Sequence, residues 1–285
     1  MARISRISRV VADLDRSEAF YRDGLGFEKI GGGPGDPKIS ALLGLSGATL
    51  TSLVMRLGAQ EIELACFDPP GAPYPADSRS DDLWFQHLAI VVGDMDAAYA
   101  SLVRQRPEAI SIGGPQTLPR RNGGVVAYKF RDPDGHPLEL IHFPPGVGRE
   151  VWRRVDHGPF LGIDHSALSV GSAVRSVRFY GDLGFTVADR SSNYGPAQSS
   201  LDGLVDARVR VVGLRQPDDD GPGLELLAYQ PPGRAAPRMA ANSRVTDWVS
   251  LVAPGAADGV RLASGARAAV RRDPDGHIIL LLDHP

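Results

Sequence analysis

Apolar and polar residues alternate over 7–11, then apolar positions recur at helical spacing over 16–23, and further alternating runs close on Glu61-Ile62-Glu63-Leu64. The pattern predicts a strand, an amphipathic helix and more strands. The same order returns with a strand at 87–92, a helix at 95–104, and strands at 125–130 and 138–143. Asp13 and Asp94 stand where helix N-caps belong, ahead of each helical run. An Asp-Gly pair at Asp134-Gly135 separates the last two strands and predicts a hairpin turn.

The unit repeats along the chain. Asp13-Leu-Asp-Arg-Ser-Glu-Ala-Phe-Tyr21, with Leu25-Gly-Phe27, reappears as Ser172-Ala-Val-Arg-Ser-Val-Arg-Phe-Tyr180 with Leu183-Gly-Phe185. Asp132-Pro-Asp-Gly-His136 reappears as Asp273-Pro-Asp-Gly-His277. Each half divides again, giving four strand–helix–strands modules. Asp68-Pro-Pro-Gly, Phe143-Pro-Pro-Gly and Gln230-Pro-Pro-Gly mark the joins. The fourth module is shortened: Asp247 to Asp273 is a much tighter stretch than His87 to Asp132.

These motifs resemble the vicinal oxygen chelate superfamily, the group of glyoxalase I, extradiol dioxygenases, fosfomycin-resistance enzymes and bleomycin-binding proteins. The resemblance covers nearly the whole chain. It implies an α+β fold in which four βαβββ modules pair into two half-open mixed β-barrels with helices outside. It also implies a divalent-metal site with ligands on the first and last strand of each paired module.

At those places the chain offers Arg6, His87 and His165, each seven residues before a helix cap, with Asp247 in the fourth module. The last strands offer Glu63, Glu139, Glu225 and Leu280. The three glutamates interrupt apolar runs, and a carboxylate so flanked is costly to bury unless paired or metal-bound. Chain-order pairing would give two domains, 1–147 and 160–285, each lacking a usual ligand. Pairing the second module with the third, and the first with the fourth, would instead gather His87, Glu139, His165 and Glu225 around one ion. The second arrangement is preferred for its complete ligand set, and the first stays open.

Such a set suits Zn, Ni, Co, Mn or Fe, and ligand type does not choose among them. The expected activity is a metal-dependent lyase or isomerase acting on a small substrate chelated through vicinal oxygens, with Glu139 or Glu225 moving a proton. An Fe(II) ring-cleaving dioxygenase and a non-catalytic binder of a small drug or metabolite are the alternatives. The strands after His87 and His165 carry no arginine for a glutathione carboxylate, though Arg120, Arg121 and Arg131 lie elsewhere in the second module. Trp84, Phe85, Tyr128, Phe130, Tyr194 and Tyr229 suit an apolar or aromatic substrate, and Gln198 offers a polar contact. Phe85, Tyr128, Tyr194 and Gln198 are the expected substrate contacts.

The other candidates read as structural. His136 and His277 follow Asp-Gly and read as hairpin residues; His142, His157 and His284 receive no role. Arg6 is expected to pair with Glu63, Cys66 to pack, and Asp218-Asp-Asp-Gly to form a solvated turn without the spacing of a calcium loop.

Composition narrows the setting. The 285 residues carry a net charge of −3, which gives no electrostatic reason to expect nucleic acid or anionic membrane as a partner. One cysteine excludes an intrachain disulfide and fits a reducing cytoplasm. Neither a signal peptide nor a long apolar run is seen. A monomer or a homodimer fits four modules in one chain.

Overall fold

The computed structural model describes residues 2–153, 158–217, 219–235, 239–253 and 256–284. His157 and Asp218, named above, lie outside the described residues. The first module comprises β1 (Arg3–Val10), α1 (Leu14–Leu25), β2 (Glu28–Pro34), α2 (Pro37–Leu42), β3 (Thr49–Leu57) and β4 (Gln60–Asp68). The second comprises β5 (Gln86–Val92), α3 (Met95–Leu102), the short β6 (Glu108–Ala109) and β7 (Gln116–Thr117), then β8 (Val126–Arg131) and β9 (Pro137–His142). The third holds β10 (Phe160–Ser169), α4 (Ala173–Asp182), β11 (Thr186–Tyr194), α5 (Pro196–Asp202), β12 (Arg208–Arg215) and β13 (Gly223–Tyr229). The fourth holds β14 (Trp248–Val252), β15 (Val260–Arg261), β16 (Arg267–Arg272) and β17 (Ile278–Leu282). Where the other modules place a helix after the first strand, its described residues carry a single 3-10 turn, Ala256–Asp258.

Local chemistry accounts for the helix ends. The carboxylates of Asp13 and Asp94 accept the backbone N–H of Arg16 and Ala97, and the Ser172 hydroxyl does the same for Arg175. Gly26 ends α1 in the left-handed conformation, at φ 72°, which glycine adopts without steric cost.

Two mixed sheets result. One runs β15-β16-β17-β14-β1-β4-β3-β2, the other β11-β12-β13-β10-β5-β9-β8-β6, with β7 also on β8. Neither closes on itself. The joins are antiparallel first strands: β1 with β14, and β5 with β10. Each sheet therefore takes one module from 1–147 and one from 160–285, and the chain-order division does not coincide with the sheets.

Alternation decides which side chains face the site. Leu88, Ile90, Leu138, Leu140, Leu224 and Leu226 point into a core shared by all four modules, which also holds Phe20, Tyr21 and Tyr180 from the helices. Their sequence neighbours His87, Ala89, Glu139, Glu225 and Leu227 point the other way. The two repeated motifs meet across this core. The Tyr21 hydroxyl donates to Asp132 at 3.0 Å, and Tyr180 donates to Asp273 at 3.3 Å, so each helix is tied to the Asp-Pro-Asp-Gly turn of the following module.

His136 lies in its turn as expected and is also fully buried, between Asp132 (2.9 Å) and Asp247 (3.4 Å). Arg9, buried beside them, approaches Asp247 at 3.8 Å and donates to the Pro137 carbonyl. His277 donates to the Ser169 carbonyl, and His142 to that of Val92. Cys66 is half-buried against the Ala12 carbonyl, and burial pushes its thiol up.

Candidate metal centre

Strand register builds the site. Across β5 and β10, Ala89 faces His165 and His87 faces Ala167. Glu139 on β9 lies beside Ala89, and Glu225 on β13 lies beside Ala167. All four functional side chains therefore project from one face of one sheet.

They converge. Ligand atoms of His87, Glu139 and His165 lie within 4.8 Å of one another. His87 Nε2 is 3.2 Å from Glu139 Oε2, and His165 Nε2 is 3.9 Å from the same oxygen. Glu225 Oε2 stands 3.4 Å from His165 Nε2. The buried His165 Nε2 has no hydrogen-bond partner among the described residues, while its Nδ1 is held at 3.0 Å by Asp164. A ring fixed at Nδ1 with Nε2 unpaired among carboxylates directs that nitrogen at the centre, as in a metal-ligating histidine. Two imidazoles and two carboxylates fit a divalent ion in number, donor type and proximity. His87 lacks the second partner, since its Nδ1 is buried without one.

The electrostatics differ between the members. Burial pushes His87 down to about 4, so it is neutral at ordinary pH. Burial would also lower His165, but Glu225 and Asp164 hold it up at about 8. Burial would raise Glu139, yet His87 and Lys129 bring it to about 2, whereas burial dominates for Glu225 and raises it. Asp164 is kept well below the usual carboxylate range despite its burial, chiefly by His165 and Arg215.

The centre opens into a cavity of about 790 Å³. Gln198, Leu227 and Tyr229 line it, as does Lys129, which faces Glu139 across β8 and β9. The buried Lys129 ammonium sits 2.7 Å from Asp202 of α5, and Gln198 Nε2 donates to the other oxygen of the same carboxylate. Arg121, Arg149 and Arg215 also reach this cavity. Arg131 is turned away, donating to the carbonyls of Ser78 and Gly135.

Of the four expected substrate contacts, Gln198 lines the cavity. Tyr128 does not, because alternation turns it opposite to Lys129, into the core, stacked on Phe130. Phe85 is fully buried behind His87, with ring centroids 6.0 Å apart. Tyr194 is exposed at the rim, under the Arg121 guanidinium at 4.2 Å. The sequence reading passed over Lys129, Asp164 and Asp202. Lys129 and Asp164 were visible as single charges within otherwise apolar strands, the signal that had singled out the glutamates.

The other sheet has diverged at the same register. Ser8 faces Trp248 where Ala89 faces His165, so Trp248, not Asp247, holds the fourth module's first-strand position. Asp247 precedes the strand and turns to Arg9 and His136. Arg6 pairs with Glu61 at 3.0 Å rather than with Glu63, which accepts a bond from Ser8 at 2.7 Å.

A family model for the Glyoxalase/Bleomycin resistance protein/Dioxygenase superfamily matches residues 3–140 and 162–281. The chain belongs to this superfamily. Within it, the uncharacterized protein YwkD of Bacillus subtilis (strain 168) is 31% identical over 141 residues, spanning 48% of this chain and 94% of that protein. Among solved structures, glyoxalase I from Zea mays superposes with a TM-score of 0.64 at 18% identity, over 99% of this chain and 92% of that one. A mutant of the same maize enzyme gives 0.65 over the same shares. At that identity the likeness concerns the fold. No helix among the described residues is long and apolar enough to cross a membrane.

Proposed function

We propose that this superfamily member is a metal-dependent lyase or isomerase of glyoxalase type, with one working centre per chain formed by His87, Glu139, His165 and Glu225. The observation that carries the reading is the convergence of these four side chains from two modules, with a buried, unpartnered His165 Nε2 among them. His87, Glu139, His165 and Glu225 would hold a divalent ion, which would supply Lewis acidity toward substrate oxygens. The second carboxylate supports this chemistry over ring cleavage by Fe(II), which uses two histidines and one carboxylate.

The protein's own groups divide the remaining work. Glu139, 8% exposed in its side chain and fixed by His87, serves as a permanent ligand. Glu225, 28% exposed in its side chain and lining the cavity, has the freedom to carry a proton to or from a substrate carbon. Lys129 stays protonated beside Asp202 and places a fixed positive charge on the cavity wall. Gln198 offers the substrate a polar contact.

Metal analysis of the purified, tag-free protein tests the reading. It expects a divalent metal near one equivalent per chain in the wild type and its loss in His165→Ala. A wild type that takes up no divalent metal after supplementation would remove the proposal.

A further inference from the structure

The face of the first sheet that corresponds to the metal centre holds its own cavity, of about 610 Å³. At the four ligand positions it carries Arg6, Glu63, Trp248 and Leu280, which leaves one carboxylate and no set of donors for an ion. The space has nevertheless not been filled. Ile39, Leu50, Leu262, Leu280 and Leu282 line it as apolar wall, and Trp248, 1% exposed, stands at its base.

Two donors there are unmet. Trp248 Nε1 and Arg6 Nε are buried and lack hydrogen-bond partners among the described residues. The other two tryptophans are satisfied: Trp84 donates to Ser78, and Trp152 to Asp164. An indole N–H is a donor only, so what it lacks is an acceptor. Buried donors without partners are rare, and each calls for an explanation. Charge indicates what kind of acceptor fits. Arg6 shares Glu61 with Arg56, and Arg3 also lines the cavity, yet Asp36, Glu63, Asp219 and Asp220 border it too, so acidic groups outnumber basic ones in its lining. An anion would meet that acidic border, whereas an uncharged oxygen would not.

We propose that this cavity is a second, metal-free ligand site that takes an uncharged, mainly apolar small molecule through a carbonyl-type oxygen, the side chains of Trp248 and Arg6 turning from their sealed positions to present Nε1 and Nε to it. The ligand's body packs against Leu280, which stands where the fourth module has lost its last-strand ligand, and against the leucines beside it. The site is independent of the metal centre.

The probe is 4-fluoroacetophenone, which joins an apolar ring to a neutral carbonyl, added to full-length protein labelled with 15N at the tryptophan indoles. Resonances are assigned with Trp84→Phe, Trp152→Phe and Trp248→Phe. The expected result is a saturable shift of the Trp248 indole N–H with the Trp84 signal unmoved. Probe affinity read from 19F line broadening should fall at least five-fold in Arg6→Met and in Trp248→Phe. The proposal is overturned if the Trp248 signal stays still up to the probe's solubility. It is equally overturned if folded Arg6→Met binds like wild type. The shift in the wild-type protein decides the matter even should either variant fail to fold.

Discussion

Trp248 occupies in the first sheet the register position that His165 occupies in the second, opposite Ser8 and Ala89 respectively. One duplicated framework thus presents two unlike cavities. In one, imidazoles and carboxylates meet; in the other, Arg6, Glu63, Trp248 and Leu280 stand at the corresponding places. The backbone pairing that brings modules one and four together is the same as that joining two and three, so the difference resides in side chains. Holding a ligand constellation on strands of a packed sheet fixes it tightly, and substitution at the same positions changes the chemistry without disturbing the fold.

Asp164 governs how His165 is presented. It holds Nδ1 at 3.0 Å and is itself held by Arg215 at 2.8 Å and by the Trp152 indole. Removing such a partner of a ligating histidine lowers metal affinity about 10–100-fold. Asp164→Asn, titrated against a chelating dye, should show a loss in that range with the far-UV spectrum unchanged. Wild-type affinity in a folded variant would count against His165 as a ligand.

The two glutamates should separate in their effects. Glu139→Gln removes the carboxylate packed against both histidines, so metal retention after gel filtration should drop. Glu225→Gln should retain metal in greater measure and lose turnover by about 10²–10⁴-fold, the usual contribution of a positioned acid or base. Metal content by mass spectrometry, set beside turnover of any vicinal-oxygen substrate on which the wild type is active, distinguishes them. Equal metal loss in both variants would refute the division of roles.

Much of this was legible in the sequence because the repeat constrains it. The two copies of each motif locate the modules, and seven residues back from a helix cap falls on Arg6, His87 and His165, as the strands place them. Asp247 slipped by one residue because the fourth module has no helix cap among its described residues to count from, and a one-residue slip on a strand reverses the face. Tyr128 suits a substrate contact by its aromatic character alone, and alternation with Lys129 sends it to the core instead. The contacts of Asp202 and Gln198 with one another and with Lys129 were beyond reach, since α5 meets β8 only in the folded chain.

Lys129 and Asp202 join the second and third modules through a buried pair, with side chains 4% and 0% exposed. Breaking such a pair from one side strands a charge and costs about 3–5 kcal/mol, while replacing both partners by apolar groups is often close to neutral. Lys129→Met should therefore lower stability in urea by roughly that amount. Lys129→Met combined with Asp202→Leu should recover most of the loss. A double variant no more stable than the single one would mean that Asp202 is satisfied without the ammonium, Gln198 Nε2 being its other donor.

His136 supplies the last test, through pH. Burial alone would lower its pKa, but Asp132 and Asp247 outweigh this and raise it above the ordinary value. A histidine whose folded pKa exceeds the unfolded one, near 6.5, contributes its full stabilisation below that pH. The contribution then fades as pH rises through the folded value. Asparagine at this position cannot take up the proton, so His136→Asn should be destabilised most at low pH. Urea unfolding of wild type and His136→Asn at about pH 6 and pH 9 should give a stability gap that is wide at the first and narrower at the second. Asp132 sets the acid boundary: despite burial, His136 and Arg9 bring it down to about 2, so its own contribution holds above the unfolded carboxylate range. That contribution decays only as pH falls toward the folded value, which leaves pH 6 clear of it. A gap that widens toward pH 9 would mean that the histidine is buried neutral, and that the Asp132–His136–Asp247 contacts are not held together by its charge.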